Sequence, residues 1–352
     1  MKIGKRQKGK IFVGLSGGVD SSVAALLLKK QGFDVTGVYI KGWYPDWKEC
    51  SWKENRRDAM RVSAQLNIPF KTLDLSEEYK RDVVDYFLSE YKNGRTPNPD
   101  VMCNKHIKFG SFYDWAIEQG ANYVATGHYA RIHNNILERG TDKSKDQSYF
   151  LWALEKEKLK NIIFPLGELH KSRVRQIAYK YNLATSNKKD SQGICFLEDV
   201  SMEEFLKHYF PEKIGPVLDE KGVKIGTHNG VVLFTLGQRH GFQTYKTSSE
   251  EKPYFVVAKD FEKNTITVSH ARLKTKNKEF FILQDVNWIL SPDTEKIYTA
   301  QSRYRQKPSK CSITRENNIW KAQYVEQAEY PVAGQSLVVY DQDQCLGGGI
   351  VS

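Results

Sequence analysis

Short β-rich runs and helical patterns alternate over the first part of this 352-residue chain. The pattern predicts strands at residues 10–15, 34–40, 70–75 and 122–126, and helices at 21–31, 55–66, 76–93 and 105–119. Gly32 stands where a glycine ends a helix. Strands joined by helices at this spacing indicate a parallel, doubly wound α/β sheet, which binds its ligands at the carboxyl ends of its strands.

The chain changes character after about residue 210, where prolines and glycines separate shorter β-type runs. Strands are predicted at 231–235, 254–258 and 265–268, followed by a lysine-rich linker at 271–278. Further strands are predicted at 280–286, 296–303, 310–315, 320–324 and 336–340, a spacing typical of a small β-barrel. We therefore expect three domains: 1–210 with the α/β fold, a small, mostly β domain at 211–275, and a C-terminal β-barrel at 276–352.

Charge points to a polyanionic partner. Lys and Arg number 53 against 42 Asp and Glu, a net charge of +11, which favours nucleic acid first and an acidic membrane surface second. Residues 171–190 hold six Lys/Arg and one acid, and residues 303–310 hold four Lys/Arg and no acid, although such runs are often only solvated faces.

Composition also limits where such a chain works. Five cysteines at irregular spacing exclude a disulfide framework and fit a reducing cytosol. The longest apolar run, 23–28, falls far short of the roughly 20 residues that span a membrane. The basic start of the chain is not followed by the apolar stretch of a secretory signal. We expect a cytoplasmic protein without a membrane partner.

A glycine- and serine-rich loop joins the first predicted strand to the first helix, with the sequence Gly14-Leu15-Ser16-Gly17-Gly18-Val19-Asp20-Ser21-Ser22. Free N–H groups and the positive dipole end of a helix hold phosphate at such a junction. No Gly-Lys-Ser/Thr follows, so the loop is not a Walker A motif. It resembles the pyrophosphatase loop (PP-loop) of the N-type ATP pyrophosphatases, which adenylate a carbonyl oxygen and release pyrophosphate.

Two cysteines occur in polar, loop-like surroundings. Cys103 follows two prolines and is predicted near the start of a helix, where the dipole and Lys105 favour a thiolate. Asp100, three residues earlier, is a candidate acid or base. Cys195 follows a pair of lysines and a glycine. We assign the remaining cysteines a packing role, namely Cys50, Cys311 and Cys345.

Several motifs in a fixed order make the resemblance specific. From about residue 10 to the C-terminus the chain closely resembles the tRNA-specific 2-thiouridylases (the MnmA family). The matching segments, all outside the most divergent stretch 43–52, are the loop, Asn98-Pro99-Asp100 with Cys103-Asn104, Gly127-His128-Tyr129-Ala130, residues 145–151, residues 190–196, Leu236-Gly237-Gln238-Arg239-His240-Gly241, Arg303-Tyr304-Arg305-Gln306 and Cys345-Leu346-Gly347-Gly348-Gly349.

The resemblance implies a reaction. ATP would adenylate the C2 oxygen of the wobble uridine of a tRNA, and sulfur would replace that oxygen, giving 2-thiouridine, AMP and pyrophosphate. Cys195 would carry a persulfide, Cys103 would resolve it to form a transient Cys103–Cys195 disulfide, and Asp100 would act as acid or base. Whether the persulfide or released hydrogen sulfide attacks the uridine stays open.

The resemblance also assigns binding residues. The residues that would bind ATP are Gly14, Leu15, Ser16, Gly17, Gly18, Val19, Asp20, Ser21, Ile40 and Gly127. Mg2+ would be bound by the ATP phosphates, with no metal ligand from the protein. Asn98, Pro99 and Asp100 would contact the target base. Other tRNA contacts would come from His128, Lys145, Asp146, Gln147, Arg303, Tyr304 and Gln335. From the residues alone, His128 is better explained as a hydrogen-bonded core histidine.

The implied partners are the wobble-uridine tRNAs for Lys, Glu and Gln and a persulfide donor fed by a cysteine desulfurase. Two other functions compete with this one. An ATP-dependent amidotransferase needs an ammonia source, and the chain shows no glutaminase-like half. A non-catalytic RNA-binding protein would be expected to have an eroded loop and cysteines, whereas both are intact here.

Overall fold

The computed structural model describes residues 9–47, 52–189, 200–245, 252–275 and 279–352. The first strands are β1 (Lys10–Gly14), β2 (Asp34–Lys41), β3 (Phe70–Asp74), β4 (Tyr123–Ala125), the hairpin β5 (Ala130–His133) and β6 (Ile136–Arg139), and β7 (Ile162–Ile163). Five of them form a parallel sheet of order β3-β2-β1-β4-β7. The predicted doubly wound sheet is confirmed, and its strand order reverses between β1 and β4.

Helices cover this sheet: α1 (Val19–Lys30), α2 (Trp52–Gln65), α3 (Ser76–Tyr79, Lys80–Asp85 and Tyr86–Lys92), α4 (Pro99–Met102, Cys103–Ser111 and Phe112–Glu118), α5 (Lys171–Lys180) and α6 (Met202–Tyr209). The middle parts of α3 and α4 are π-helical. The start predicted for α4 is wrong by six residues. The helix begins at Pro99 because Asn98 accepts the Val101 N–H at 3.3 Å and proline fits the first helical position.

A second sheet forms the central domain, with β8 (Gly215–Leu218), β9 (Lys224–His228), β10 (Phe242–Thr244), β11 (Phe255–Asp260) and β12 (Thr265–Ser269) in the order β10-β9-β8-β12-β11. The strand predicted at 231–235 is wrong, since Val231–Leu233 form a 3-10 turn. The Val231 N–H donates to the side chain of Asn264 at 3.1 Å instead of to a neighbouring strand. The side chains of Val231, Leu233 and Phe234 pack in the hydrophobic core of this domain.

The last strands are β13 (Phe280–Trp288), β14 (Ile297–Gln301), β15 (Ser309–Glu316), β16 (Ile319–Tyr324), β17 (Ser336–Asp341) and β18 (Gln344–Val351). They form a six-stranded antiparallel barrel, which the pairing of β13 with β18 closes. The predicted barrel is therefore confirmed. Hairpin β5–β6 of the first domain extends the same sheet, because Gln344 pairs with Glu138.

The predicted linker is partly structured. Thr275 and Ala328 exchange hydrogen bonds of 2.9 Å, so the chain entering the barrel pairs with a barrel loop. Residues 276–278 lie outside the described ranges. Within those ranges, no helix is long and apolar enough to cross a membrane.

Candidate functional site

The loop between β1 and α1 is closed by its own hydroxyl groups. Ser22 Oγ donates to the Gly18 carbonyl at 2.7 Å, Ser21 Oγ donates to the same carbonyl at 3.2 Å, and Ser21 Oγ accepts from the Ser16 N–H at 3.2 Å. Gly18 is the N-cap of α1 and has no side chain to occupy the first N–H groups. The loop therefore presents a helix N-terminus on which an anion can bind.

Two glycines of this site have no room for a side chain. Gly17 has φ +77°, and a Cβ there would lie 2.3 Å from the Asn55 carbonyl oxygen. A Cβ on Gly127 would lie 2.8 Å from the Ser21 nitrogen and 2.9 Å from the Asp20 carbonyl carbon. Gly127 comes just after β4, so the chain that leaves β4 lies directly against the loop that follows β1.

The predicted nucleotide residues converge at one edge of the sheet. A Cβ on Gly14 would lie 3.8 Å from Ile40 Cδ1, at the end of β2, and 3.7 Å from Thr126 Cγ2, after β4. The same position is 3.7 Å from the ring of Phe112 on α4. The carboxyl ends of β1, β2 and β4 therefore form one crevice, the place where doubly wound sheets bind ligands.

Asp20 in the first turn of α1 is held by two residues that were not predicted to lie at the nucleotide loop. Lys171 Nζ donates to both of its carboxylate oxygens, at 2.7 and 2.8 Å, and the Tyr129 hydroxyl donates at 2.8 Å. Lys171 lies 151 positions further along the chain, so only the fold brings this ammonium to the loop. The Gly-His-Tyr motif did contain Tyr129, but as part of the resemblance only.

The basic stretch 171–190 is thus partly engaged inside the first domain. Besides Lys171 on Asp20, Lys188 Nζ donates to Asn55 Oδ1 at 2.7 Å and to Asp58 Oδ2 at 2.8 Å. These two cations cannot be counted as a solvated RNA-binding face.

Cys103 lies in the hydrophobic core of the first domain, 1% exposed. Its predicted position near a helix start is confirmed, because Cys103 is the fifth residue of α4, whereas the predicted polar surroundings are wrong, because the side chain packs in the core. Any reaction at this thiol therefore takes place away from bulk water. Asp100 is partly buried on the same face of the helix, three residues earlier.

The other cysteines divide into two groups. Cys195 and Cys50 lie outside the described residues. Cys311 and Cys345 are fully buried in barrel strands, as their packing role predicts. Burial raises the pKa of each of these two thiols to about 12, so neither is a thiolate at neutral pH.

The residues predicted to bind the target base lie beside a buried tyrosine. Tyr149 is 3% exposed, and its side chain is hydrogen-bonded to that of Asn98, the N-cap of α4. The Tyr149 hydroxyl also lies 3.0 Å from the carbonyl oxygens of Ser302 and Ser336 in the barrel. Tyr149 therefore connects the start of α4 to the barrel.

Asp146 and Gln147, two of the three residues predicted at 145–147, stabilise the segment in which they lie. Asp146 is buried and accepts hydrogen bonds from Arg139 at 3.1 Å and from the Gly140 N–H at 2.9 Å. Gln147 Oε1 accepts the Tyr129 N–H at 3.0 Å. Both side chains shape the segment, whereas Lys145 lines an open cavity.

Arg303, Tyr304 and Gln335 lie together at the barrel. The Arg303 guanidinium donates to Glu329 at 3.0 Å, to the Leu236 carbonyl at 3.1 Å and to Gln335 at 3.4 Å, which joins the central domain to the barrel. The Tyr304 ring packs 4.5 Å from that of Phe150.

His128 is buried, and its Nδ1 lies 2.7 Å from Thr126 Oγ1. Burial lowers the pKa of His128 well below 6.5, so the imidazole is neutral at physiological pH. The His128 ring packs against the rings of Phe109 and Phe164, as expected for a core histidine.

Three family models together match most of the chain. They are described as a tRNA methyl transferase HUP domain at residues 9–199, a tRNA methyl transferase PRC-barrel domain at 203–270 and an aminomethyltransferase beta-barrel domain at 278–351.

Curated proteins named tRNA-specific 2-thiouridylase MnmA are similar over almost the whole length. The one from Francisella philomiragia is 43% identical and covers 98% of this chain and 99% of its own. The relative from Staphylococcus epidermidis is 44% identical, with coverage of 97% and 95%, and that from Streptococcus equi is 43% identical, with coverage of 98% and 95%. Among solved structures, the U34-tRNA thiolase NcsA from Methanococcus maripaludis aligns with a TM-score of 0.36 at 17% identity, over 59% of this chain and 71% of that one.

Proposed function

The chain belongs to the tRNA-specific 2-thiouridylase MnmA family of enzymes, and we propose that it replaces the C2 oxygen of the wobble uridine of tRNA with sulfur in an ATP-dependent reaction. The observation that carries the assignment to this site is the position of helix α4. Its first turns contain Asp100 and Cys103, and its Phe112 packs at the base of the nucleotide loop beside Gly14. One helix thus connects the crevice for ATP with the residues proposed for the sulfur chemistry.

The loop holds the triphosphate for the first step. The uridine C2 oxygen attacks the α-phosphorus of ATP, an O–P bond forms, and the bond to the β-phosphate breaks with release of pyrophosphate. The N–H groups at the start of α1 and the Lys171 ammonium bind phosphate oxygens. Gly127, packed on Asp20 and Ser21, fixes the loop. We propose that Asn98, Pro99 and Asp100 bind the uracil.

Magnesium would be held chiefly by the ATP phosphates. The described residues contain no group of three metal-binding side chains, while Asp20 supplies the oxygen-donor chemistry that this ion prefers, once Lys171 turns to the phosphates. When bound, the ion neutralises phosphate charge.

Sulfur then replaces the adenylated oxygen. We assign the persulfide to Cys195: its terminal sulfur forms a bond to C2, and AMP departs with the original oxygen. Cys103 attacks the Cys195 sulfur, the persulfide S–S bond breaks, and a Cys103–Cys195 disulfide forms that a dithiol reductant must reopen. In the other order, Cys103 first releases hydrogen sulfide, which attacks C2. Asp100 is the proposed acid or base in either order.

The two β domains would hold the RNA. We propose that the central domain (211–275) and the barrel (276–352) bind the tRNA, with Lys145, Arg303, Tyr304 and Gln335 nearest to it, while residues 1–210 carry out the chemistry. The substrates would be the tRNAs for Lys, Glu and Gln, and sulfur would come from a persulfide carrier fed by a cysteine desulfurase. We propose that this takes place in the cytoplasm.

The test is reconstitution from purified components. Protein, ATP, Mg2+, a persulfide donor and unmodified tRNA should yield 2-thiouridine, detected by mass spectrometry of the digested tRNA. Cys195→Ser and Cys103→Ser should each abolish the product while tRNA binding stays within about twofold. Cys311→Ala, at a buried barrel thiol, is the matched control and should retain activity. Normal thiolation by Cys195→Ser would overturn the persulfide assignment.

A further inference from the structure

A cavity of about 710 Å³ lies between segment 143–149 of the first domain and barrel loop 301–308. Its size falls within the roughly 300–1,000 Å³ that is usual for small-ligand sites. Lys145 and Tyr304, both proposed to contact tRNA, line it together with Arg305. The cavity therefore opens within the proposed RNA-binding surface, although no role has so far been assigned to the space itself.

The cations around this cavity are not equivalent. Arg139 is paired with Asp146 at 3.1 Å, and Lys143 is paired with Asp343 at 2.6 Å. Arg305 has no ion pair within the part of the chain that the structure describes, and its exposed guanidinium lies 5.0 Å from the centre of the Tyr304 ring. An anion entering the cavity would therefore find this guanidinium uncompensated by an acid.

Arg305 is also held in a strained backbone conformation. Its φ is +62°, a region that side chains other than glycine disfavour. Ten described non-glycine residues have a positive φ, and seven of them are asparagine, which tolerates it. The loop enforces this geometry, because Gln306 Oε1 accepts the N–H groups of Ser302 at 2.8 Å and Arg303 at 3.1 Å. Glycine would relieve the strain, whereas arginine adds a guanidinium at the mouth of the cavity.

We propose that this cavity binds one unstacked nucleotide of the tRNA other than the target uridine, with its base on Tyr304 and its phosphate on Arg305. The inference rests on the proposed function, since the ligand is part of the tRNA substrate. A tyrosine ring supplies the stacking surface for an extruded base. A planar guanidinium matches a phosphate with two parallel hydrogen bonds. The Tyr304 ring is supported by Phe150, and a base that stacks on it would displace the Arg305 guanidinium, which lies over the ring at 5.0 Å, toward the phosphate.

The test compares Arg305→Ala and Arg305→Gly in tRNA binding on filters at several salt concentrations. Both should weaken binding about five- to twentyfold and reduce the slope of log Kd against log salt by about 1. Arg305→Gly should melt about 1–3 °C above Arg305→Ala because only glycine is relaxed at this φ. If Arg305→Ala and Arg305→Gly lose the same affinity for tRNA although they differ in stability, the loss comes from the missing guanidinium and not from weaker folding.

Arg315→Ala is the matched control. Its guanidinium lies 5.3 Å from the Trp320 ring on the same barrel but does not line the cavity, so this variant should bind tRNA like the wild type. A second series uses stem–loop RNAs, each with one abasic position outside the target uridine. At one of these positions, loss of the base should weaken binding to the wild-type protein at least fivefold. The same abasic RNA should bind to Tyr304→Ala no more weakly than the intact RNA does.

The inference would be overturned if both Arg305 variants bound tRNA with the affinity and the salt dependence of the wild type. It would also be overturned if every abasic position weakened binding equally in the wild type and in Tyr304→Ala. These measurements report binding alone. A wild-type protein that binds tRNA but forms no thiouridine would instead contradict the proposed function.

Discussion

Replacing Gly127 with alanine tests whether β4 positions the nucleotide loop. The added Cβ would lie 2.8 Å from the Ser21 nitrogen, 2.9 Å from the Asp20 carbonyl carbon and 3.1 Å from the Ser21 Cα, all of them backbone atoms. Ordinary contact begins at 3.4 Å, so the loop must retreat by about 0.6 Å. Because no flexible side chain can absorb this change, the start of α1 itself has to move.

The magnitude follows from the precision that a catalytic site needs. Reactive groups must be held within about 0.5 Å, and a misplacement of about 1 Å costs on the order of a hundredfold in rate. We therefore expect kcat/KM for ATP to fall about 10- to 100-fold, or about 1.4–2.7 kcal/mol of transition-state stabilisation. Overpacking should also lower the free energy of unfolding by about 1–3 kcal/mol.

The assay is pyrophosphate release at varied ATP, with the tRNA affinity of the same preparation measured on filters. Gly120→Ala serves as the stability control: φ there is +78°, but a Cβ would have only Lys10 Nζ near it, at 4.0 Å. It should lose about 1–2 kcal/mol of stability through strain and keep the wild-type KM for ATP. An unchanged kcat/KM for ATP in Gly127→Ala would refute the role of this contact.

Three further changes probe the other contacts. Lys171→Met removes both hydrogen bonds to Asp20 and should lower kcat/KM for ATP about 10- to 100-fold with unchanged tRNA binding; weaker tRNA binding instead would place this lysine on the RNA face. Arg303→Lys retains the charge but cannot reach its three partners at once, and it should raise the KM for tRNA about five- to tenfold at constant kcat, as steady-state kinetics would show. Burial lowers the pKa of His128 in the folded state, so the unfolded chain binds the extra proton below about pH 6.5 and stability should fall as the pH drops through that value. Denaturant unfolding of His128→Asn between pH 5 and 7.5 should lack this part of the slope.

Local patterns predicted the sheet well because β1 and β2 are short apolar runs that contain several β-branched residues, and both were correct to within one residue. For β18 only Cys345, near its start, was assigned to a barrel-like strand pattern and no strand range was predicted, since its Gly347-Gly348-Gly349 run has low strand propensity. Glycine is required there by close pairing: a Cβ on Gly348 would lie 2.3 Å from the Leu337 carbonyl oxygen. The pairing that imposes this requirement is not local, so the sequence pattern around β18 does not contain it.

The setting of Cys103 shows a different kind of failure. An N-cap asparagine followed by proline is a recognised helix start, so the true beginning of α4 was present in the sequence at Asn98 and Pro99. The two prolines instead favoured an extended approach, so the helix was started about six residues too late and the thiol near its start was given polar surroundings, whereas it is buried in the core. The ion pair of Asp20 with Lys171 could not be predicted from any local pattern, because the two residues are 151 positions apart in the chain.

The position of the residues proposed to bind uracil depends on all three domains. Just before Asn98, the Gly94 carbonyl accepts from Lys259 Nζ of the central domain at 3.1 Å, and the Thr96 N–H donates to the Ala333 carbonyl of the barrel at 2.9 Å. The Thr96 hydroxyl also bonds to that of Thr235 at 3.2 Å. The chain that enters α4 is therefore fixed by the two domains proposed to hold the RNA. Their contribution thus includes the geometry of the reactive site, in addition to affinity for tRNA.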